Sequence, residues 1–246
     1  MKIASWNVNS LNVRLPHLQQ WLSDFAPDVV GLQETKLEDH KFPAARLAEL
    51  GWNVVFAGQK TYNGVALLAR SPIEDVQARA IAATVAGIRI VNLYVVNGQD
   101  IGTDKYAYKL RWLAAVREWV AAELARHPQL VVMGDFNIAP DDRDVPDAAV
   151  WNDNHILTST AERAGLQALL DLGLHDAFRL KHQDAGIFSW WDYRAAGFRR
   201  NYGLRIDLNL VSDALAARLD DAGIDREPRT WERPSDHAPA WIALAG

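Results

Sequence analysis

None of the 246 residues is cysteine, which excludes disulfide bonds and thiolate chemistry and suits a reducing compartment. No apolar run is long enough to span a bilayer, so no membrane partner is expected. The N-terminus lacks a basic region followed by an apolar stretch and a small-residue cleavage site, and a cytoplasmic location is the expectation. Low-complexity linkers, repeats and breaks in composition are also missing, so residues 1–246 are expected to form a single domain. Excess positive charge is missing as well: a net charge of -5 argues against a generally adhesive nucleic-acid binder.

Apolar residues make up 49% of the chain, enough to fill a substantial core. Charge is segregated. Arg179, Lys181, Arg194, Arg199, Arg200 and Arg205 face only Asp184 and Asp192 over 179–205, whereas 141–153 holds five Asp against Arg143. Strand-like runs fall at 2–6, 28–32, 52–57, 65–70, 88–96, 129–133, 188–190, 204–211 and 238–244. Helical spacing appears at 15–25, 43–50, 104–126 and 161–172. Several strands follow one another with no helix between them. That pattern predicts an α/β fold of four layers, α/β/β/α, with two mixed sheets face to face and helices outside.

Polar islands interrupt the apolar runs: Asn7 and Asn9, Gln33-Glu34, Asp135 with Asn137, and Asp236-His237 between Pro234 and Pro239. Glu34, alone, reads as a surface carboxylate or as a Mg2+ ligand, since that ion takes one or two carboxylates plus water and substrate phosphate. Asp135 and Asn137, two apart, share one side of an extended backbone or cap a turn. In the first case the Asp can activate a water while the neutral Asn binds a phosphate. His237 is either a satisfied core group or an imidazole that a carboxylate keeps protonated to face an oxyanion, with Asp207 as the candidate partner.

Together the islands resemble the exonuclease III family of apurinic/apyrimidinic (AP) endonucleases. The motifs are Trp6-Asn7-Val8-Asn9, Leu32-Gln33-Glu34-Thr35-Lys36, Gly58-Gln59-Lys60 with Tyr62-Asn63-Gly64, Gly134-Asp135-Phe136-Asn137, Trp190-Trp191-Asp192-Tyr193-Arg194, Gly203-Leu204-Arg205-Ile206-Asp207 and Pro234 to Pro239. The resemblance implies a DNA repair phosphodiesterase that needs Mg2+, with Mn2+ as a substitute. Its activities would be AP-site incision, 3'-phosphatase, 3'-phosphodiesterase and 3'-5' exonuclease, on duplex DNA with AP sites or damaged 3' ends, as a monomer. It also implies roles: Glu34 as principal metal ligand with Asn7 and Asp236 near the metal; Asp135 on the attacking water; Asn137, Tyr94 and Asn97 on the phosphate; Asp207 and His237 as the acid-imidazole pair.

Asn9, Arg79, Lys105, Lys109 and Arg194, with Arg199 and Arg200, are candidates for DNA contact, and the resemblance implies that Trp190 and Leu204 wall a pocket for a flipped, baseless sugar. The chain departs from the family in a short 71–80 loop with one arginine, in Val96 where a proline is usual, and in the 151–156 segment. There, a bulky His155 is expected to narrow the pocket and favour trimming of 3' ends. The rival readings are a related phosphodiesterase acting on RNA, lipid or inositol phosphates, and a DNA-damage binding protein without catalysis.

Overall fold

The computed structural model describes residues 1–58, 63–78 and 80–246. β1 (Lys2–Asn7) is buried after its first residue and runs parallel to the fully buried β2 (Val29–Gln33). A parallel pair needs a crossover, and α1 (Leu11–Asp24) supplies it, setting Leu18, Trp21 and Leu22 against Ala4, Val30 and Leu32. α2 (Ala44–Glu49) adds Leu47 to the same face, and β3 (Asn53–Ala57) pairs with β4 (Val65–Ala69), which pairs in turn with β2.

β5 (Ile73–Ala78), β6 (Ile81–Val85) and β7 (Ile88–Tyr94) form an antiparallel meander. The long α3 (Asp104–Arg126), its N-terminus capped by the Thr103 hydroxyl, then crosses over to β8 (Leu130–Asp135), parallel to β7. α4 (Thr160–Leu170) begins in a capping box between Ser159 and Glu162 and buries Leu166 and Leu169 beside α3. Short β9 (Leu174–Asp176) and α5 (Ala177–Lys181) lead to β10 (Asp207–Ser212), α6 (Asp213–Ala216), β11 (Leu219–Ile224) and β12 (Ala240–Leu244).

The first sheet has the order β11-β12-β1-β2-β4-β3 and the second β5-β6-β7-β8-β10-β9. Between them lies an apolar layer built from Ile3, Val29, Leu67, Ile90, Val131 and Ile242. Each such fully buried side chain contributes about 1.5–3 kcal/mol. The four expected layers are present. Strands β5, β6, β9 and β11 lie outside the sequence reading: β9 has three residues and β11 carries Asp220 and Asp221 across a register shift. Conversely, 188–190 is no strand. Trp190 makes only isolated bridges, to Leu204 and to His237.

Each sheet is centred on one parallel pair, β1·β2 and β7·β8. Their C-terminal ends open on one edge of the sandwich. β10 runs antiparallel to β8, so its first residue Asp207 pairs with the last of β8, Asp135. The chain entering β12, with Pro234 to His237, closes the same edge.

Candidate active site

Glu34 leaves the end of β2 in the left-handed region, with φ 48°. Such a backbone costs a non-glycine residue about 1–3 kcal/mol and is retained at functional sites. Ladder-like bonds hold it: Ser10 N–H donates to the Glu34 carbonyl at 2.8 Å and Thr35 N–H to Gly64 O at 3.1 Å. Asn137, with φ 49°, turns in the same sense after β8. Gly134 brings β8 close to β7: a Cβ there would meet the Leu93 carbonyl oxygen at 1.9 Å, and its φ is +149°.

These turns gather polar atoms. Asn7 Nδ2 donates to Glu34 Oε1 and to Asp135 Oδ2, both at 2.9 Å. Its Oδ1 accepts from the Asn9 N–H at 3.0 Å. A main-chain N–H only donates, which fixes the amide orientation. Asn7 therefore cross-links two carboxylates through its Nδ2, and its Oδ1, with one of two lone pairs used by Asn9, lies in the same cluster. Asp135 Oδ1 accepts from the Asn137 N–H at 2.9 Å, and Asn97 Nδ2 donates to Asn137 Oδ1 at 3.2 Å.

His237 Nδ1 lies 2.9 Å from Asp207 Oδ2, and Nε2 lies 3.7 Å from Asp135 Oδ2. Burial by itself would lower the imidazole pKa. The charges of Asp207 and Asp135 outweigh it and raise His237 to about 10. Burial acts oppositely on Asp135, pushing its carboxyl well above the usual range against the pull of His237. Burial also raises the Tyr94 hydroxyl, with Glu34 and Asp135 adding to it, so the phenol stays protonated. Glu34 is held below its ordinary value: burial acts against this, but the hydrogen bonds from Asn7 and Lys36 prevail.

Atoms of Glu34, Asp135 and His237 lie within 4.8 Å of one another. An imidazolium has no lone pair to give, so the donors left are the two carboxylates. That oxygen set fits a hard divalent cation. Lys36 Nζ pairs with Glu34 at 2.8 Å, placing a positive charge against the same oxygens. Asp236 stands aside. Its oxygens accept from Asn9 Nδ2 at 2.9 Å and Trp190 Nε1 at 3.0 Å. These two bonds brace the loop that carries His237.

Two hollows flank the cluster. One, about 550 Å3, is bordered by Tyr94, Asn97, Lys105 and Tyr108. The other, about 220 Å3, is walled by Trp151, Trp190, Leu204 and Tyr202, with Arg194 and Arg200 on its rim. His155 is not in that wall; it packs behind Trp151 with ring centroids 5.0 Å apart.

Comparisons with known proteins identify the family. The model of the endonuclease/exonuclease/phosphatase family matches residues 4–237. The chain belongs to that family. Within it, an exodeoxyribonuclease III of Haemophilus influenzae is 36% identical, over 98% of both chains. A Neisseria structure described as the 3' phosphatase NExo bound to product DNA hairpin is 50% identical, with TM-score 0.97 and full coverage of both chains. An AP endonuclease from Archaeoglobus fulgidus is 36% identical, with TM-score 0.95 over 99% of both chains.

Some expected residues of this family member lie elsewhere than the sequence suggested. Lys109 is wholly buried on α3 and bonds Glu162 and two main-chain carbonyls, so it reaches no DNA. Part of the basic segment is consumed internally: Arg179 and Arg205 both bind the buried Asp144, which closes the acidic and basic stretches on each other. Arg194, Arg199, Arg200 and Lys105 are exposed. Arg79, with Gln59, Lys60 and Tyr62, lies outside the described residues. Sequence reasoning missed Ser189, whose hydroxyl donates to Asp207 Oδ2 at 2.6 Å and accepts from the Ile206 and Asp207 N–H groups at 3.0 Å. It also missed Lys36 as a partner of Glu34, and within the 151–156 segment it singled out His155 where Trp151 forms the wall.

Proposed function

We propose that this exonuclease III-type enzyme hydrolyses phosphate esters at damaged 3' ends of duplex DNA, with Mg2+, or Mn2+ in its place. The observation that carries the reading is the convergence of Glu34, Asp135 and His237 within 4.8 Å, beside the amides of Asn137 and Asn97. Water attacks phosphorus in line with the leaving oxygen. Asp135, its carboxyl raised by burial, takes the proton of that water. The His237 imidazolium and the Asn97 amide donate to the phosphate oxygens as charge grows there, and Asn137 Nδ2, bonded to Val95 O at 3.0 Å and Asp135 Oδ2 at 3.2 Å, would exchange the longer bond for one to the phosphate. The Tyr94 hydroxyl stays protonated and donates as well. The phosphorus–oxygen bond to the 3' carbon side breaks, and solvent returns a proton to the leaving oxygen. A divalent cation on the Glu34 side would supply further neutralisation of phosphate charge.

Preference for ends over internal AP sites rests on the smaller hollow. Trp151, backed by His155, walls it beside Trp190 and Leu204, and these aromatic walls would oppose a strand that continues beyond a flipped sugar. A terminal phosphate needs only the catalytic cluster. The 50% identical Neisseria protein, described as a 3' phosphatase, supports the same choice. Duplex DNA would lie along Asn9, Lys105, Arg194 and Arg200. The protein would act as a monomer in the cytoplasm; no helix among the described residues is long and apolar enough to cross a membrane.

One panel tests the reading: a 3'-phosphate duplex, an internal AP-site duplex and an undamaged duplex, each with Mg2+ or with EDTA. Rapid loss of the 3' phosphate in Mg2+ and slow AP incision are expected. Equal rates on the first two substrates would remove the end preference, and full activity in EDTA would remove the metal.

A further inference from the structure

Lys109 and Glu162 are both 0% exposed and form a 2.5 Å ion pair between α3 and α4. The Lys109 ammonium has three protons and three acceptors: Glu162 Oε1, the Asn137 carbonyl at 2.7 Å and the Asn97 carbonyl at 3.1 Å. The second Glu162 oxygen accepts from the Ser159 N–H at 3.2 Å and hydroxyl at 2.7 Å, and Tyr106 shares that hydroxyl at 2.7 Å. Burial drives the Lys109 pKa down, with Glu162 opposing.

Burying an ammonium is costly, and apolar residues of similar size often stabilise as well as a buried ion pair. What apolar residues would not supply is a grip on two carbonyls. The ladder between β7 and β8 ends near Tyr94 and Asp135, with one more bond from Val95 N–H to Asp135 O at 2.9 Å. Beyond it the segments of Asn97 and Asn137 have no strand pairing, yet their side chains meet at 3.2 Å. Lys109 holds both from behind.

We propose that Lys109, oriented by Glu162, is a positioning residue that clamps the Asn97 and Asn137 segments so that their amides face the phosphate together, and that it makes no contact with DNA. The inference rests on reading those amides as phosphate ligands.

The test uses the double variant Lys109→Met with Glu162→Met, which leaves no unpaired buried charge. Melting is recorded, and kcat and KM on a 3'-phosphate duplex are measured across NaCl concentrations, well below the melting temperature. The clamp predicts a roughly 10- to 100-fold lower kcat, as expected for lost transition-state contacts, with the slope of log KM against log salt unchanged. A kcat within twofold of the parent overturns it in favour of a purely structural pair. A slope reduced by about one phosphate contact overturns it in favour of direct DNA binding. If the double variant fails to fold, Glu162→Gln keeps the hydrogen bond but weakens the grip. A severalfold lower kcat supports the clamp there and an unchanged kcat overturns it. Asn137→Ala separates the layers: full activity in that variant defeats the reading of the amide itself, whereas an impaired Asn137→Ala beside an unimpaired double variant defeats the clamp alone.

Discussion

His237 Nδ1 lies 2.9 Å from Asp207 Oδ2, and the same oxygen accepts from Ser189 Oγ at 2.6 Å. The imidazole is thus aimed by a carboxylate that is itself fixed by a hydroxyl. Asp207→Asn removes the charge that keeps the ring protonated. Turnover is expected to fall roughly 100-fold or more, the scale of a lost positioned acid, with KM little changed. In NMR titrations the ring should move back toward its ordinary range. An unshifted ring would show that Asp207 does not set its charge.

Ser189→Ala strips the bond to Asp207 and leaves the Ile206 and Asp207 N–H groups without their acceptor. A loss of about 1–3 kcal/mol in urea unfolding is expected for such buried, unsatisfied groups. Ser189→Thr, which keeps the hydroxyl, should retain most of it.

The pH dependence of stability follows from the raised pKa of His237, to about 10. The stabilisation from its ion pairing is complete below the unfolded value of about 6.5 and is lost as pH rises through about 10. Urea midpoints at pH 7, 8.5 and 10 should decline in the parent more steeply than in His237→Gln. Parallel curves would mean that the ring is neutral throughout.

Asp135→Asn separates activity from stability. The carboxylate is buried beside Asp207, a like charge that raises it further, so neutralising it should shift the melting temperature by only a few degrees. Loss of the proton acceptor should cost roughly 100-fold or more in turnover. Near-normal turnover in Mg2+ would end its assignment to the water.

Gly134→Ala should unfold the edge. The added Cβ would meet a main-chain oxygen at 1.9 Å with φ at +149°, and a loss above about 3 kcal/mol is expected, in the range of severe backbone and packing changes. Equilibrium denaturation reads it directly.

The layers and the long helices were legible because apolar periodicity over 104–126 and 161–172 is sustained by packing on one face. The catalytic islands were legible because three of them follow an apolar strand and the fourth, Asp236-His237, stands just before one. Strands β9 and β11 were not: a three-residue strand has no period to read, and β11 sits at a sheet edge where Asp220 and Asp221 are tolerated. Ser189 was illegible because its task depends on Asp207, eighteen residues away in the chain. Lys109 misled for a physical reason. A lysine that follows Tyr106 and Tyr108 in a segment opened by Lys105 has the composition of a DNA contact, and only the turn of α3 sends it inward against Glu162. Asn7 and Asp236 were placed near the metal by the family resemblance alone, and their bonds to Glu34, Asp135, Asn9 and Trp190 were not legible because the partners lie far away in the chain.

β1 sits in the interior of its sheet, parallel to β2 on one side and antiparallel to β12 on the other. During synthesis β1 must therefore wait for the much later β12 to cover its flank. His237 emerges just ahead of that closing strand. A growing chain would hold Glu34 and Asp135 long before it holds the imidazole, so a nuclease active site is completed only once His237 and β12 have been made, and fragments that stop short of them should be harmless to DNA.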